Sequence, residues 1–382
     1  MVKHSDVLKT LSDLVRINSI NPEWGGPGES GVVGYVKSYC DRVGLEWWED
    51  EVLPGRSNVM IRLPGKDSTR AILLEAHMDV VSVDGMTIPP FDPVVEEGKL
   101  FGRGSCDTKA GLATMMEAMH SLQGSGQLPP CDVWLAAVVD EEHAFSGVLA
   151  AIEWFRARGI QLDCAVVAEP TCLGLVTTNK GVLRWRIETT GVAAHSSKPH
   201  LGENAISTMA RLINQLDAFH KNLESNSHPL VGPATCNIGT IRGGDQVNFV
   251  PDKCVINLDR RMLPGESAEE ILESYRALSA SFPEGKVKIL PADLSDEAME
   301  TDSDAAVVRV ASRQLESMGL DASIQGVPFG CDATKLSRAG IPSIIFGPGS
   351  IDQAHAAVEW VDVKEVELAF DFLRGFLLNY EV

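Results

Sequence analysis

Residues 71–81 read AILLEAHMDVV, a nearly continuous apolar run of strand length that contains His77 and Asp79 near its downstream end. A strand that is apolar on both faces is covered on both faces, as at the centre of an α/β sheet packed between helices. Two more runs repeat the pattern. DVWLAAVV, over 132–139, leads into Asp140, Glu141 and Glu142, and residues 164–167 lead into Glu169, Pro170 and Thr171. Helical periodicity occupies the intervals, over 110–122 and 147–158. This order predicts an α/β fold with a mixed, largely parallel sheet, whose site gathers beyond the carboxyl ends of the strands. His77 and Asp79, two apart on an extended backbone, are expected to point to one side.

Between the first two runs lies FGRGSCDTKAG, residues 101–111, where Gly102 and Gly104 bend the chain before Asp107 and a helix starts at Ala110. Taken alone, glycine beside aspartate is ordinary turn chemistry. Upstream, Val7, Leu8, Leu11, Leu14 and Val15 stand at helical spacing. Residues 18–31, rich in Asn, Pro, Gly and Ser, read as a loop, 32–43 as a second helix and 58–63 as a short strand. From Lys180 the rhythm changes to strand 182–189, helix 204–219, strands 235–241 and 254–258, helix 267–280 and strand 286–290. That βαββαβ order is the ferredoxin-like unit. Helices over 305–318, 333–338 and 363–378 and a strand over 342–346 then resume the first pattern, with His355 between them. A length of 382 residues calls for two cores. The expected domains are a discontinuous one, 1–179 with 295–382, and an inserted one, 180–294.

A formal net charge of −20 argues against a nucleic-acid partner, which needs basic patches to neutralise phosphates. No apolar stretch approaches membrane-spanning length, and the first residues lack the apolar core of a signal peptide, so a cytoplasmic location is expected. The eight cysteines are scattered without a CxxC pair and read as reduced thiols. Cys106 and Cys331 are expected to be buried small apolar side chains.

The acidic strand ends, Asp107 and His355 together have the makings of a metal site. Zinc accepts histidine nitrogen and carboxylate oxygen, and two ions about 3.5 to 4 Å apart can share a bridging carboxylate. Such a centre needs roughly five ligands and one free carboxylate as base. His77, Asp107, Glu142, Glu169 and His355 are the candidate ligands, Glu141 the candidate base, and Asp79 the partner that orients His77. HExxH, the G-x-S-x-G elbow and the P-loop are all absent from the sequence.

The successive motifs EAHMDVV, GRGSCDTKAG, DEEHAFSG, AEPT, GVAAHSSKPHLGENAI, GGDQVNFVP, DRRMLPGE, GCDATKLSRAGIP and FGPGSIDQAHAAVEWV resemble, in order and over nearly the whole chain, those of the M20 metallopeptidase family. The resemblance implies a zinc-peptidase-like catalytic domain holding two zinc ions per subunit, with cobalt a possible substitute. Asp107 would bridge them, Glu142 and His355 would complete one site, and His77 and Glu169 the other. Glu141 would be the general acid and base. His195, in the loop of the inserted lid domain, would stabilise the oxyanion, often from the partner subunit of a homodimer built on that domain. Asn248 and Arg261 match substrate-binding positions. Arginine can grip a carboxylate through both oxygens, and Arg260 is the alternative at that place. Gly347 and Gly349 are expected to present backbone N–H groups to the substrate.

The implied reaction removes a short acyl group from an N-acyl amino acid. N-acetylornithine, and with it arginine biosynthesis, is the first reading. N-succinyl-diaminopimelate or a di- or carboxypeptidase substrate is the alternative, and a non-enzymatic metal-dependent binding protein is the reading from another class. The chain departs from the family pattern after Glu142, where His-Ala-Phe-Ser-Gly is poorer in glycine. It departs again after His355, where Ala356, Ala357 and Val358 imply a more apolar wall, while Glu359 is kept.

Overall fold

A computed structural model describes residues 2–380. Strand Asp67–His77 lies between Cys131–Val138 and Leu162–Val167 and runs parallel to both, and Ser343–Ile345 adds a further parallel partner beyond Leu162–Val167. The flanks are antiparallel. Arg56–Leu63 pairs with Cys131–Val138, and Glu46–Leu53 forms the outer edge beside it. On the other side Leu175–Asn179 pairs antiparallel with Ser343–Ile345.

Alternation along the central strands explains why their buried lengths are nearly apolar, with Glu75, His77 and Asp132 the exceptions in 71–77 and 131–138. Ile72, Leu74 and Ala76 share a core cluster with Val133, Leu135 and Ala137 and with Leu11, Met115 and Phe372 from helices His4–Val15, Lys109–Ser125 and Val363–Leu378. Trp134, of opposite parity, meets Trp154 and Phe155 of helix Ser146–Ala157 at ring-centroid distances of 5.5 Å. Both faces are therefore covered, and every residue of Cys131–Val138 is buried.

The chain divides into two units. The first comprises Met1–Thr177, Thr301–Gln325 and Cys331–Val382, and the second Thr178–Glu300 with Gly326–Gly330. The segment Gly326–Gly330, expected in the first unit, belongs to the second, where the Lys180 N–H donates to the Val327 carbonyl at 3.1 Å. Within the second unit the strands stand in the order Thr235–Gly243, Lys253–Met262, Gly181–Thr190, Val287–Asp296, all antiparallel. Helices Ala205–Lys221 and Ala268–Ser279 complete the ferredoxin-like βαββαβ arrangement, packed through Met209, Leu212, Leu272 and Tyr275. No helix among the described residues is long and apolar enough to cross a membrane.

Candidate metal centre

Register places the acidic residues. His77 lies opposite Val138, and Glu75 opposite Val167, so three neighbouring strands end nearly level and the chain leaves each at the same edge of the sheet. The segments that follow carry Asp79, residues 140–142 and Glu169. The strand stops at His77, so the two-residue periodicity does not extend to Asp79. His77 Nδ1 lies 3.0 Å from the main-chain oxygen of Asp79 and 3.6 Å from its carboxylate. That carboxylate accepts the N–H groups of Glu141 and Glu142, each at 3.2 Å, and so holds the acidic turn as well as facing His77.

Asp107 arrives on the glycine loop. Gly104 has φ of 80°, and a Cβ there would lie 2.8 Å from Val80 Cγ1, so the bend needs glycine for both conformation and space. One oxygen of Asp107 lies 3.0 Å from His77 Nε2, and the other lies 3.2 Å from His355 Nε2. His355 Nε2 is also 3.1 Å from Glu142. His355 itself takes a φ of 60°, unusual for a residue with a side chain. Two groups of donor atoms, His77 with Glu141 and Glu169, and His77 with Asp107 and Glu142, each fit within 4.8 Å.

The site gathers buried carboxyls whose ionised forms a cation would stabilise. Burial pushes the carboxyls of Glu141 and Glu169 well above the usual range, with neighbouring carboxylates adding to it. Burial and Asp107 push Glu142 up to about 7. Burial opposes ionisation of Asp107 too, but hydrogen bonds to His355 and His77 hold its carboxyl well below normal. Those to Asp107 and Glu142 lift His355 to about 10. Imidazole and carboxylate together are the donor set of a zinc-type divalent ion, and such a charge would relieve the crowding.

Other expected site residues lie elsewhere or behave differently. His195, Asn248 and Arg261 belong to the second unit. His195 is exposed on a short ribbon paired with Phe249, and its Nδ1 accepts the Ser197 N–H at 3.1 Å, which leaves a neutral ring's proton on Nε2. Arg260 is buried and bound to Glu266 at 2.6 Å, whereas Arg261 is more accessible beside Asp259 at 3.0 Å. The expectation for the glycine turn is corrected. The Gly347 N–H donates to Thr171 Oγ1 at 3.1 Å and the Gly349 N–H to Glu365 at 2.7 Å, so both are already engaged. Gly347 serves instead for close approach, since a Cβ there would lie 2.6 Å from the Glu169 carbonyl.

Two contributors had no role assigned from sequence. Glu359 binds the loop that carries Asp107, and buried Asn21 contacts Asp79. Retention of Glu359 within its motif was the signal for the first. Asn21 sits in a polar loop where nothing in the sequence sets it apart.

Residues 73–379 match the description Peptidase family M20/M25/M40. The chain belongs to peptidase family M20. As an M20 protein it is a hydrolase of amide bonds. It is 30% identical over 336 residues to the acetylornithine deacetylase of Proteus mirabilis, covering 85% of this chain and 83% of that one. It is 28% identical over 386 residues to an N-formyl-4-amino-5-aminomethyl-2-methylpyrimidine deformylase of Halalkalibacterium halodurans, covering 91% and 88%. In fold this M20 chain is similar to a tripeptidase from Staphylococcus aureus, with a TM-score of 0.80 at 22% identity over 99% of this chain and 98% of that one.

Proposed function

We propose that this M20 hydrolase is a dizinc deacylase of N-acyl amino acids, with N-acetylornithine as its substrate in arginine biosynthesis. The observation that carries the reading is Asp107, whose two oxygens face two different histidines at 3.0 and 3.2 Å, the disposition a bridging carboxylate needs. Support for the acyl amino acid comes from the likeness to the acetylornithine deacetylase. Cobalt is expected to replace zinc.

In this reading Asp107 would be the ligand shared by both ions, Glu142 and His355 would complete one site, and His77 and Glu169 the other. The ion pair, when bound, polarises the amide carbonyl and acidifies water. Glu141 takes the proton of the attacking water and passes it to the leaving amine, general base and then general acid. Its burial beside other carboxylates raises its proton affinity, which suits both halves of that task. His195, with its proton on Nε2, serves as donor to the oxyanion. Arg261 takes the substrate carboxylate, because Arg260 is committed to Glu266, and Asn248 adds a polar contact.

We extend the proposal to a cytoplasmic homodimer. All eight cysteines are free, as suits a reducing compartment, and the second unit has an exposed edge strand, Thr235–Gly243, suited to pairing with a copy.

The test is amine release from N-acetylornithine by metal-stripped enzyme reloaded with zinc, run beside N-succinyl-diaminopimelate, an N-formyl amine and a tripeptide. Zinc-dependent turnover that favours N-acetylornithine supports the proposal. Preference for another substrate would move the substrate assignment, and hydrolysis that ignores zinc would remove the metal from it. Light scattering on the active enzyme reads the dimer.

A further inference from the structure

The loop at residues 18–21 is tied to the segment after His77, with the Asn21 N–H donating to the Val80 carbonyl at 3.0 Å. This places the Asn21 side chain, 1% exposed, between two buried carboxylates. Its Nδ2 donates to Asp79 Oδ2 at 2.8 Å and to Asp140 Oδ1 at 3.0 Å, while its Oδ1 accepts the Glu23 N–H at 3.1 Å. Both neighbours act on one turn. Asp79 receives the N–H groups of Glu141 and Glu142. Asp140, at a φ of 67°, is held by Arg56 at 3.0 Å and Ser146 at 2.6 Å. Arg56 is itself braced by Glu29, which also accepts the Asp140 N–H at 3.1 Å.

An amide NH₂ carries two hydrogens and can satisfy two carboxylates at once, which a hydroxyl or a carboxylate of similar size cannot. We infer that Asn21 is a positioning residue. By bridging Asp79 and Asp140 it clamps the turn 140–142 from both sides and sets the direction in which Glu141 points. The inference rests on the reading of Glu141 as the base. It assigns work to a loop residue that touches none of the candidate ligands.

A double-mutant cycle on the zinc-loaded enzyme tests it, using Asn21→Leu, Glu141→Asp and the pair, with zinc content measured alongside. Asn21→Leu should lower kcat by roughly 10- to 100-fold, with KM within about threefold and zinc content unchanged, the scale seen when a supporting hydrogen bond is lost. If Asn21 acts through Glu141, the double variant should be hardly slower than Glu141→Asp alone. Losses that multiply, or a fall in zinc content that accounts for the lost rate, would overturn the assignment. Should Asn21→Leu fail to fold, the smaller Asn21→Ser, which keeps one donor and adds no charge, enters the same cycle with the same expected coupling. Failure of the underlying reading is separable, because Glu141→Asp would then leave kcat unchanged by itself.

Discussion

Glu359 accepts the main-chain N–H of Asp107 at 3.1 Å, and the same carboxylate oxygen accepts that of Cys106 at 3.0 Å. Its second oxygen takes the buried guanidinium of Arg103 at 2.6 Å. The central carboxylate of the site is thus held by a residue 252 positions away. Glu359→Gln keeps an acceptor for the loop but leaves Arg103 buried without an anion. The expected cost is about 3 kcal/mol of stability, the scale for breaking a buried pair from one side. Urea unfolding checks it. A midpoint unchanged from the parent would mean that Arg103 finds another anion.

Glu141→Gln should bind zinc at the parent stoichiometry and lose roughly a thousandfold in kcat, within the range for a lost general base. Metal analysis and steady-state kinetics on one preparation separate the two effects. Retained turnover would remove Glu141 from the mechanism.

Gly147 is the second residue of the helix that follows the acidic turn. A Cβ there would lie 2.2 Å from the Val139 carbonyl oxygen and 2.5 Å from its nitrogen, both backbone atoms that cannot rotate aside. Gly147→Ala should therefore destabilise by about 1 to 3 kcal/mol, as overpacking does, and lower kcat because the displaced helix pulls on residues 140–142. Thermal melts set beside kcat test the coupling. A variant as stable and as active as the parent would show that the helix slides freely.

In the second unit burial, with Arg260 adding to it, lowers the pKa of His220 below its ordinary 6.5, and the ring lies 2.8 Å from the Tyr275 hydroxyl. A folded-state value below the unfolded one means that the unfolded chain binds the proton first as pH falls. His220 therefore costs nothing well above pH 6.5 and subtracts stability as pH drops through that value. Between pH 8 and 5.5 the parent should lose more stability than His220→Gln, read as the difference between their urea midpoints. Equal losses would contradict the assignment.

The central strands were legible because burial on both faces leaves 71–77 and 132–138 apolar except at Glu75, His77 and Asp132. The outer strand Glu46–Leu53, EWWEDEVL, escaped the same reading. It pairs with only one neighbour and faces solvent, so acidic side chains are tolerated there and blur its alternation. Candidate site residues were legible where a carboxylate or histidine closed an apolar run, as His77, Glu141 and Glu169 do. Asp140 stands beside Glu141 in sequence, yet it sits at a left-handed backbone and binds Asn21, Arg56 and Ser146. Such partners leave no trace in composition. The roles of Gly347 and Gly349 misled for a related reason. Glycine marks close approach or a special φ, and only the folded chain shows whether its N–H is already taken.

The distance in sequence between Glu359 and Asp107 bears on how the protein is made. His77, Asp107, Glu142 and Glu169 are all synthesised long before residues 355–359, which supply the second histidine and the clamp on the glycine loop. An emerging chain accordingly displays a partial, uncompensated cluster of acids for much of its synthesis, and contacts of such long range close late in folding. Under the proposed reading the full ligand set exists only once the C-terminal segment has been made, so metal loading is expected to follow its completion.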